Sequence, residues 1–237
     1  MHAWPGMQEE LAAHVDAVVE EVLAAADWPG APVDAVALAR DHFGFHLCVD
    51  PDQANRGRAQ RNGAGGLIYL KPEARRERTQ WTVAHEIGEH LRPRFQERLN
   101  PRNEVTPELG EHLANLFAAR LLVPSRWFAA DASRLLFDVL HLKSLYATAS
   151  HEVVAWRLLD LPRPCVVTIV DNNRLTRRRS NAWEPPRTML SAEVRCQRFV
   201  HEKSEPGVVQ QDGWTIRGWP IHEPTKRREI LRATWED

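Results

Sequence analysis

Trp81-Thr-Val-Ala-His-Glu-Ile-Gly-Glu-His90 sets two imidazoles and two carboxylates within six residues of one predicted helix. That density of donors points to a metal site. In the widespread pattern His-Glu-x-x-His, the two histidines are four apart and share a helix face, and the glutamate beside the first activates water at the metal. Here the order is His85-Glu86-Ile87-Gly88-Glu89-His90. The residue four after His85 is therefore Glu89, and the second histidine comes one place late.

At about 100° of rotation per residue, positions four apart lie roughly 40° from alignment and positions five apart roughly 140°. An undistorted helix therefore pairs His85 with Glu89. Pairing His85 with His90 needs a local widening, and Gly88 stands where it would ease one. The dipeptidyl peptidase III family carries a His-Glu-x-x-x-His motif in which both histidines bind zinc, and the resemblance to it is confined to that spacing.

A third donor is expected from another element. The next predicted helix reads Glu111-His-Leu-Ala-Asn115-Leu-Phe-Ala-Ala-Arg-Leu-Leu-Val-Pro124. Glu111 can face the metal while Asn115, one turn on, holds a ligand in orientation. In Thr82-Val-Ala-His-Glu-Ile-Gly88 and in Glu111-x-x-Ala-Asn-x-Phe-Ala-Ala-x-Leu-Leu-x-Pro124 the chain resembles the ImmA/IrrE metallopeptidases, over about Val33 to Leu161. The resemblance implies a Zn2+ site with His85 and Glu111 as ligands and Glu86 as base. That family has His where this chain has Glu89. The remaining protein ligand is then either His90, reached through a bulge and taken here as the expectation, or Glu89 in place. Imidazole is the usual zinc donor and carboxylate an accepted one. Set against all this is a degenerate site that keeps the fold without metal.

With 237 residues, 43% of them hydrophobic, the chain can build one sizeable core plus an appendage. A net charge of −1 gives no bulk attraction to nucleic acid. Cys48, Cys165 and Cys196 are odd in number and widely spaced, which argues against a disulfide framework and for a reducing compartment. No apolar run reaches membrane-span length and no basic, then apolar, leader opens the chain. A cytoplasmic protein without membrane association is expected.

From Met7 to Ala26, Leu11, Val15, Val18, Val19, Val22 and Leu23 recur at helical spacing. The turn Asp27-Trp-Pro-Gly-Ala-Pro32 stops this helix, and a second runs from Val33-Asp34 to Gly44. Phe45–Val49 reads as a short strand, Arg56–Gly66 as a loop or irregular hairpin, and Leu67–Leu70 as a compact strand whose edge could hold an extended peptide beside the site. The metal helix should cover about Glu73 to Leu91. An irregular connection from Pro93 leads to Thr106 as N-cap and Pro107 at the first helical position. Trp127 to Leu161 is helical again. Two of its helices suggest helix-turn-helix, although any helical hairpin has the same spacing. His14, His141 and His151 read as surface or structural residues.

Pro162-Arg-Pro164 marks a boundary. Beyond it, Cys165–Val170, Asn172-Asn173 and Arg174–Ser180 spell a hairpin, and further strands are expected near Val194–Val200, Val208–Val209 and Trp214–Trp219. From His151 on, 15 Lys+Arg face 12 Asp+Glu, while the rest has 16 against 20. The Arg174–Arg179 run could meet nucleic acid, but such a run more often keeps an exposed strand from aggregating.

The expectation is an α+β chain: a zincin-like catalytic domain over 1–124, a helical extension over 125–162 and a β-rich C-terminal unit over 163–237. The implied activity is zinc-dependent proteolysis with Glu86 as base. The implied partner is a helix-turn-helix transcriptional repressor, in stress responses or mobile elements. The alternatives are a module that binds a regulator without cutting it, and a direct DNA-binding regulator.

Overall fold

A computed structural model of the chain describes residues 5–62, 65–99 and 106–235. Mixed helix and sheet fall into two units, Met1–Asp131 with Ser144–Ser150, and Ala132–Lys143 with His151–Asp237.

In the first unit, helix α1 (Pro5–Ala25) buries Val15, Val18, Val19, Val22 and Leu23, the stripe its spacing predicts. Asp34 caps the short helix α2 (Ala35–Ala37), its Oδ1 accepting from the Ala37 N–H at 3.0 Å. The chain then widens into one π turn over Leu38–His42, closed by Phe43 N–H on Leu38 O at 3.1 Å. Strands β1 (Phe45–Val49), β2 (Gly57–Asn62) and β3 (Gly65–Leu70) follow, in the spatial order β1-β3-β2. β1 runs parallel to β3, and β2 antiparallel to it.

Of the two readings of Arg56–Gly66, loop or irregular hairpin, the structure takes the second, since β2 pairs antiparallel with β3; its Gly-Arg-Ala-Gln start lacks the apolar alternation of a half-buried strand because β2 lies at the sheet edge. The Leu67–Leu70 strand lies in the middle of the sheet, so the edge beside the site is β2's.

Helices α3 (Arg76–His90), α4 (Arg92–Leu99) and α5 (Pro107–Leu122) complete the layer that carries the candidate site. α4 occupies the start of the connection expected to be irregular, and its buried Phe95 meets Phe117 of α5 at 6.0 Å between ring centroids. The rest of that connection, 100–105, lies outside the described residues. α5 starts as expected, with Thr106 Oγ1 accepting from the Leu109 N–H at 3.3 Å and Pro107 behind the cap. Buried Arg120 ties α5 to Asp16 of α1 at 2.7 Å, and buried Gln80 ties α3 to the α2 cap by bonds of 2.7 Å from Ala35 N–H and 2.8 Å to Asp34 Oδ1. Helix α6 (Ser125–Arg134) follows α5, and α7 (Val139–Leu145) follows α6.

The second unit contains α8 (His151–Arg157) and an antiparallel sheet of order β5-β4-β8-β7-β6. Its strands are β4 (Val166–Asp171), β5 (Arg174–Ser180), β6 (Gly207–Gln211), β7 (Trp214–Glu223) and β8 (Lys226–Trp235). The β4–β5 hairpin turns on Asn172 and Asn173, both left-handed at φ 49° and 62°.

The strand expected near Val194–Val200 is instead part of helix α9 (Ser191–Lys203). The Glu193 carboxylate accepts from the Leu190 N–H at 2.8 Å and so holds the first turn. Ala192, Cys196 and Val200 then pack on Val166, Ile216, Leu231 and Ala233 of the sheet. The Arg174–Arg179 run is largely engaged within this unit. Arg177 pairs with Glu152, Arg178 with buried Glu193 at 2.6 Å, and Arg179 lies over the Trp156 ring at 4.9 Å. Among the described residues, no helix is long and apolar enough to cross a membrane.

Candidate metal centre

Helix α3 keeps α-helical hydrogen bonding to its end, with Leu91 N–H reaching Ile87 O at 2.9 Å. The widening expected at Gly88 is absent. Gly88 has a different reason: a Cβ there would lie 2.9 Å from the Ala114 Cα and 3.2 Å from both Ala114 O and Phe117 Cδ1. The missing side chain lets the α3 and α5 backbones close on each other.

That close approach determines which donors meet. His85 Nε2 lies 3.6 Å from Glu111 Oε2. His85, Glu89 and Glu111 each offer a ligand atom, and the three lie within 4.8 Å of one another. His90 also lines the cleft but stands outside this trio, with its ring edge-on to Phe43 and Phe45 at 5.8 and 5.1 Å between centroids. A regular helix turns positions 85 and 90 apart, and the structure follows that rule.

Both carboxylate donors are held by a neighbour. Asn115 Nδ2 donates to Glu111 Oε1 and to the Glu111 carbonyl, both at 2.9 Å, the orienting part its spacing suggests. Glu89 Oε2 accepts from Arg92 at 2.6 Å. The Arg92 guanidinium in turn passes over Gly110, where a Cβ would sit 2.5 Å from its Cζ.

Glu86 takes a separate position. It is buried, and its Oε2 accepts from the Ala59 N–H of β2 at 2.8 Å. A Cβ on Gly57 would lie 2.7 Å from Glu86 Oε1 and 2.4 Å from Thr82 Cγ2, so only glycine lets β2 come this near the helix. Burial pushes the Glu86 carboxyl above the usual carboxylate range. His85 and the Ala59 N–H pull it down, and the charges of Glu89 and Glu111 add to the rise.

All these groups line one open cleft of about 830 Å³, with Asn55 to Ala59 on one wall and Trp81, Pro93 and Gln96 on others. Glu89 Oε1 is buried and has no hydrogen-bond partner among the described residues. An unmatched carboxylate oxygen beside an imidazole and a second carboxylate is a set that a zinc-class ion satisfies. Neither the role of Gly57 nor that of the Ala59 amide, which is backbone, has a signal in the residue pattern. Arg92, three residues after Glu89, was a readable helical pair.

The IrrE N-terminal-like domain of the peptidase M78 family matches residues 40–159, just over half of the chain. No curated protein matches. Among solved structures, a Mycobacterium tuberculosis transcriptional regulator matches at a TM-score of 0.62 and 17% identity, over 98% of this chain and 81% of that one. At that identity the likeness speaks for the fold alone.

Proposed function

The chain belongs to the IrrE N-terminal-like peptidase family, and on that footing we propose that it is a zinc-dependent endopeptidase. His85, Glu89 and Glu111 would hold the ion, with Glu86 as general base. The reading is carried by the meeting of those three donors beside a buried fourth carboxylate in an open cleft. His90, preferred from the motif alone, gives way in this proposal to Glu89.

A bound zinc-class ion supplies a polarised carbonyl and a water of lowered pKa. Glu86 takes a proton from the attacking water and returns it to the leaving amine. The Ala59 amide fixes Oε2, which leaves Oε1 for the proton. Asn115 holds Glu111 in place. The β2 edge beside the cleft offers backbone groups to an extended peptide, which would add to the sheet as a further strand.

The substrate class proposed is a helix-turn-helix transcriptional repressor, on the ground of the family resemblance. A regulator-binding module that uses the cleft without cutting is the second reading. It is favoured by Glu89 standing where the family has His and by the guanidinium bonded to it. Direct DNA recognition through Arg174–Arg179 has less support, because three of those arginines are engaged inside their own unit.

The test is to load the protein with zinc, mix it with a helix-turn-helix repressor encoded beside its gene, and follow the mixture by mass spectrometry. New peptide termini support the enzyme. Binding without cleavage supports the module for that partner.

A further inference from the structure

In the second unit, His201 of α9, His222 of β7 and Glu229 of β8 bring their donor atoms within 4.8 Å of one another. We propose that these three residues form a second binding site for a zinc-class divalent ion, one that fastens α9 to the β7–β8 hairpin.

The argument begins with Glu229, whose side chain is 0% exposed. A carboxylate out of water needs compensating charge and hydrogen bonds. Among the described residues Glu229 makes three such bonds. His201 Nδ1 and His222 Nε2 both approach the same oxygen, Oε1, at 2.8 Å, and Gln197 Nε2 reaches Oε2 at 3.3 Å. The nearby guanidiniums bond to other groups than Glu229: Arg228 to Asp171 and Glu152 at 2.6 Å each, and Arg227 to Ser204 at 2.9 Å and to His222 Nδ1 at 3.3 Å. Two imidazoles aimed at one buried oxygen form a cluster that a cation completes.

The donor set and its surroundings fit such an ion. Two imidazole nitrogens and a carboxylate are an established zinc combination, with water as the fourth ligand in open sites. Bonds of about 2.0–2.2 Å place tetrahedral donors roughly 3.3–3.5 Å apart, so contacts of 2.8 Å need to open by only about half an ångström. Of the far ring nitrogens, that of His222 faces a hydroxyl able to accept its N–H, as ligating histidines commonly require. His201 Nε2 lies 3.3 Å from the Asn173 amide, and His222 Nδ1 lies 3.1 Å from Ser204 Oγ. The two imidazoles keep 19% and 15% exposure, which gives the ion and a water a way in. Residues 201, 222 and 229 come from one helix and two strands, so the site exists only in the folded unit, and binding must stabilise it.

The test is to strip the full chain with chelator, reload it with zinc, desalt it, and count zinc per chain. His201→Ala/His222→Ala should bind one zinc fewer than wild type, whatever the other cluster binds. Conversely, His85→Ala/Glu111→Ala should retain one. Zinc should raise the melting temperature of that second variant and should not raise it in His85→Ala/Glu111→Ala/His222→Gln. The His222→Gln change retains an N–H donor for Glu229, so a metal-free melt like that of its parent separates lost binding from lost folding. Equal zinc in wild type and His201→Ala/His222→Ala overturns the proposal. So does a folded His85→Ala/Glu111→Ala protein that takes up no zinc.

Discussion

The two histidine–glutamate clusters use the same donor chemistry in opposite settings. In the first unit Glu111 is mostly exposed, the cleft is open and a separate carboxylate, Glu86, stands beside the donors. In the second unit Glu229 is fully buried, and among the described residues the groups bonded to the trio are side-chain amides, a hydroxyl and a guanidinium, none of them a general base. On the proposed reading, an open set with a neighbouring carboxylate suits action on something that arrives. A closed set joining a helix to a hairpin is arranged to hold its own elements together. Donor identity alone would not separate them; burial and the fourth residue do.

The largest effect that could break this contrast is at Glu86. Glu86→Gln preserves size and can still meet the Ala59 amide but cannot accept a proton. Proteolysis should fall by about 10²–10⁴-fold while zinc content stays at the wild-type level. Peptide cleavage assayed beside elemental analysis checks it, and equal cleavage rates would remove Glu86 as base.

Next come the ligands of the open cluster. Glu89→Ala should lose most zinc there and His90→Ala should retain it, because α3 is regular through both positions. The reverse order, read by zinc content in the His201→Ala/His222→Ala background, would mean the helix rearranges on metal binding.

Gly88→Ala sharpens the role of helix packing. Its Cβ would meet the α5 backbone at 2.9 Å, and the overpacking should cost about 1–3 kcal/mol in denaturant unfolding. By parting Glu111 from His85 it should also weaken zinc binding at the open cluster and leave the closed one unchanged.

The smallest effect is acid sensitivity in the second unit. Burial alone would raise the Asp171 carboxyl, but the bond and charge of Arg228, with Lys226 and Thr176, outweigh it and hold it at about 2. The unfolded chain, with an ordinary value near 4, takes up the proton first. The stability from this group is therefore full above about pH 4 and drains away as pH falls toward 2. Thermal melts should show Asp171→Asn less stable than wild type at neutral pH, with the gap narrowing in that window.

Much of the first unit could be read from the chain. The α5 motif announced Glu111 and Asn115 because their spacing is a helical turn, and the same rule applied to α3 pairs His85 with Glu89. Choosing His90 over Glu89 came from assigning Gly88 to a bulge, when what it meets is the Ala114 backbone of another helix, a contact no local pattern encodes. β2 was legible only as one arm of an irregular hairpin, with a loop as the alternative, because an edge strand need not alternate. In Val194–Val200, apolar residues broken by polar ones resemble a strand, and the deciding signal was Glu193 one turn into the helix. His201, His222 and Glu229 could not have been joined from sequence. Their spacing is set by sheet register, which pairs Pro220 with Glu229 and His222 with Arg227.

Glu89 and Arg92 carry a consequence in charge count. A divalent ion with one neutral imidazole and two carboxylates sums to zero, whereas the two-histidine, one-glutamate set sums to +1. The Arg92 guanidinium, 2.6 Å from Glu89, restores that unit of positive charge to the ensemble. Position 89 therefore cannot be exchanged alone without changing the field that a carbonyl meets in the cleft. Glu89→His beside Arg92 would leave the assembly at +2, and only Glu89→His with Arg92 made neutral would return it to +1.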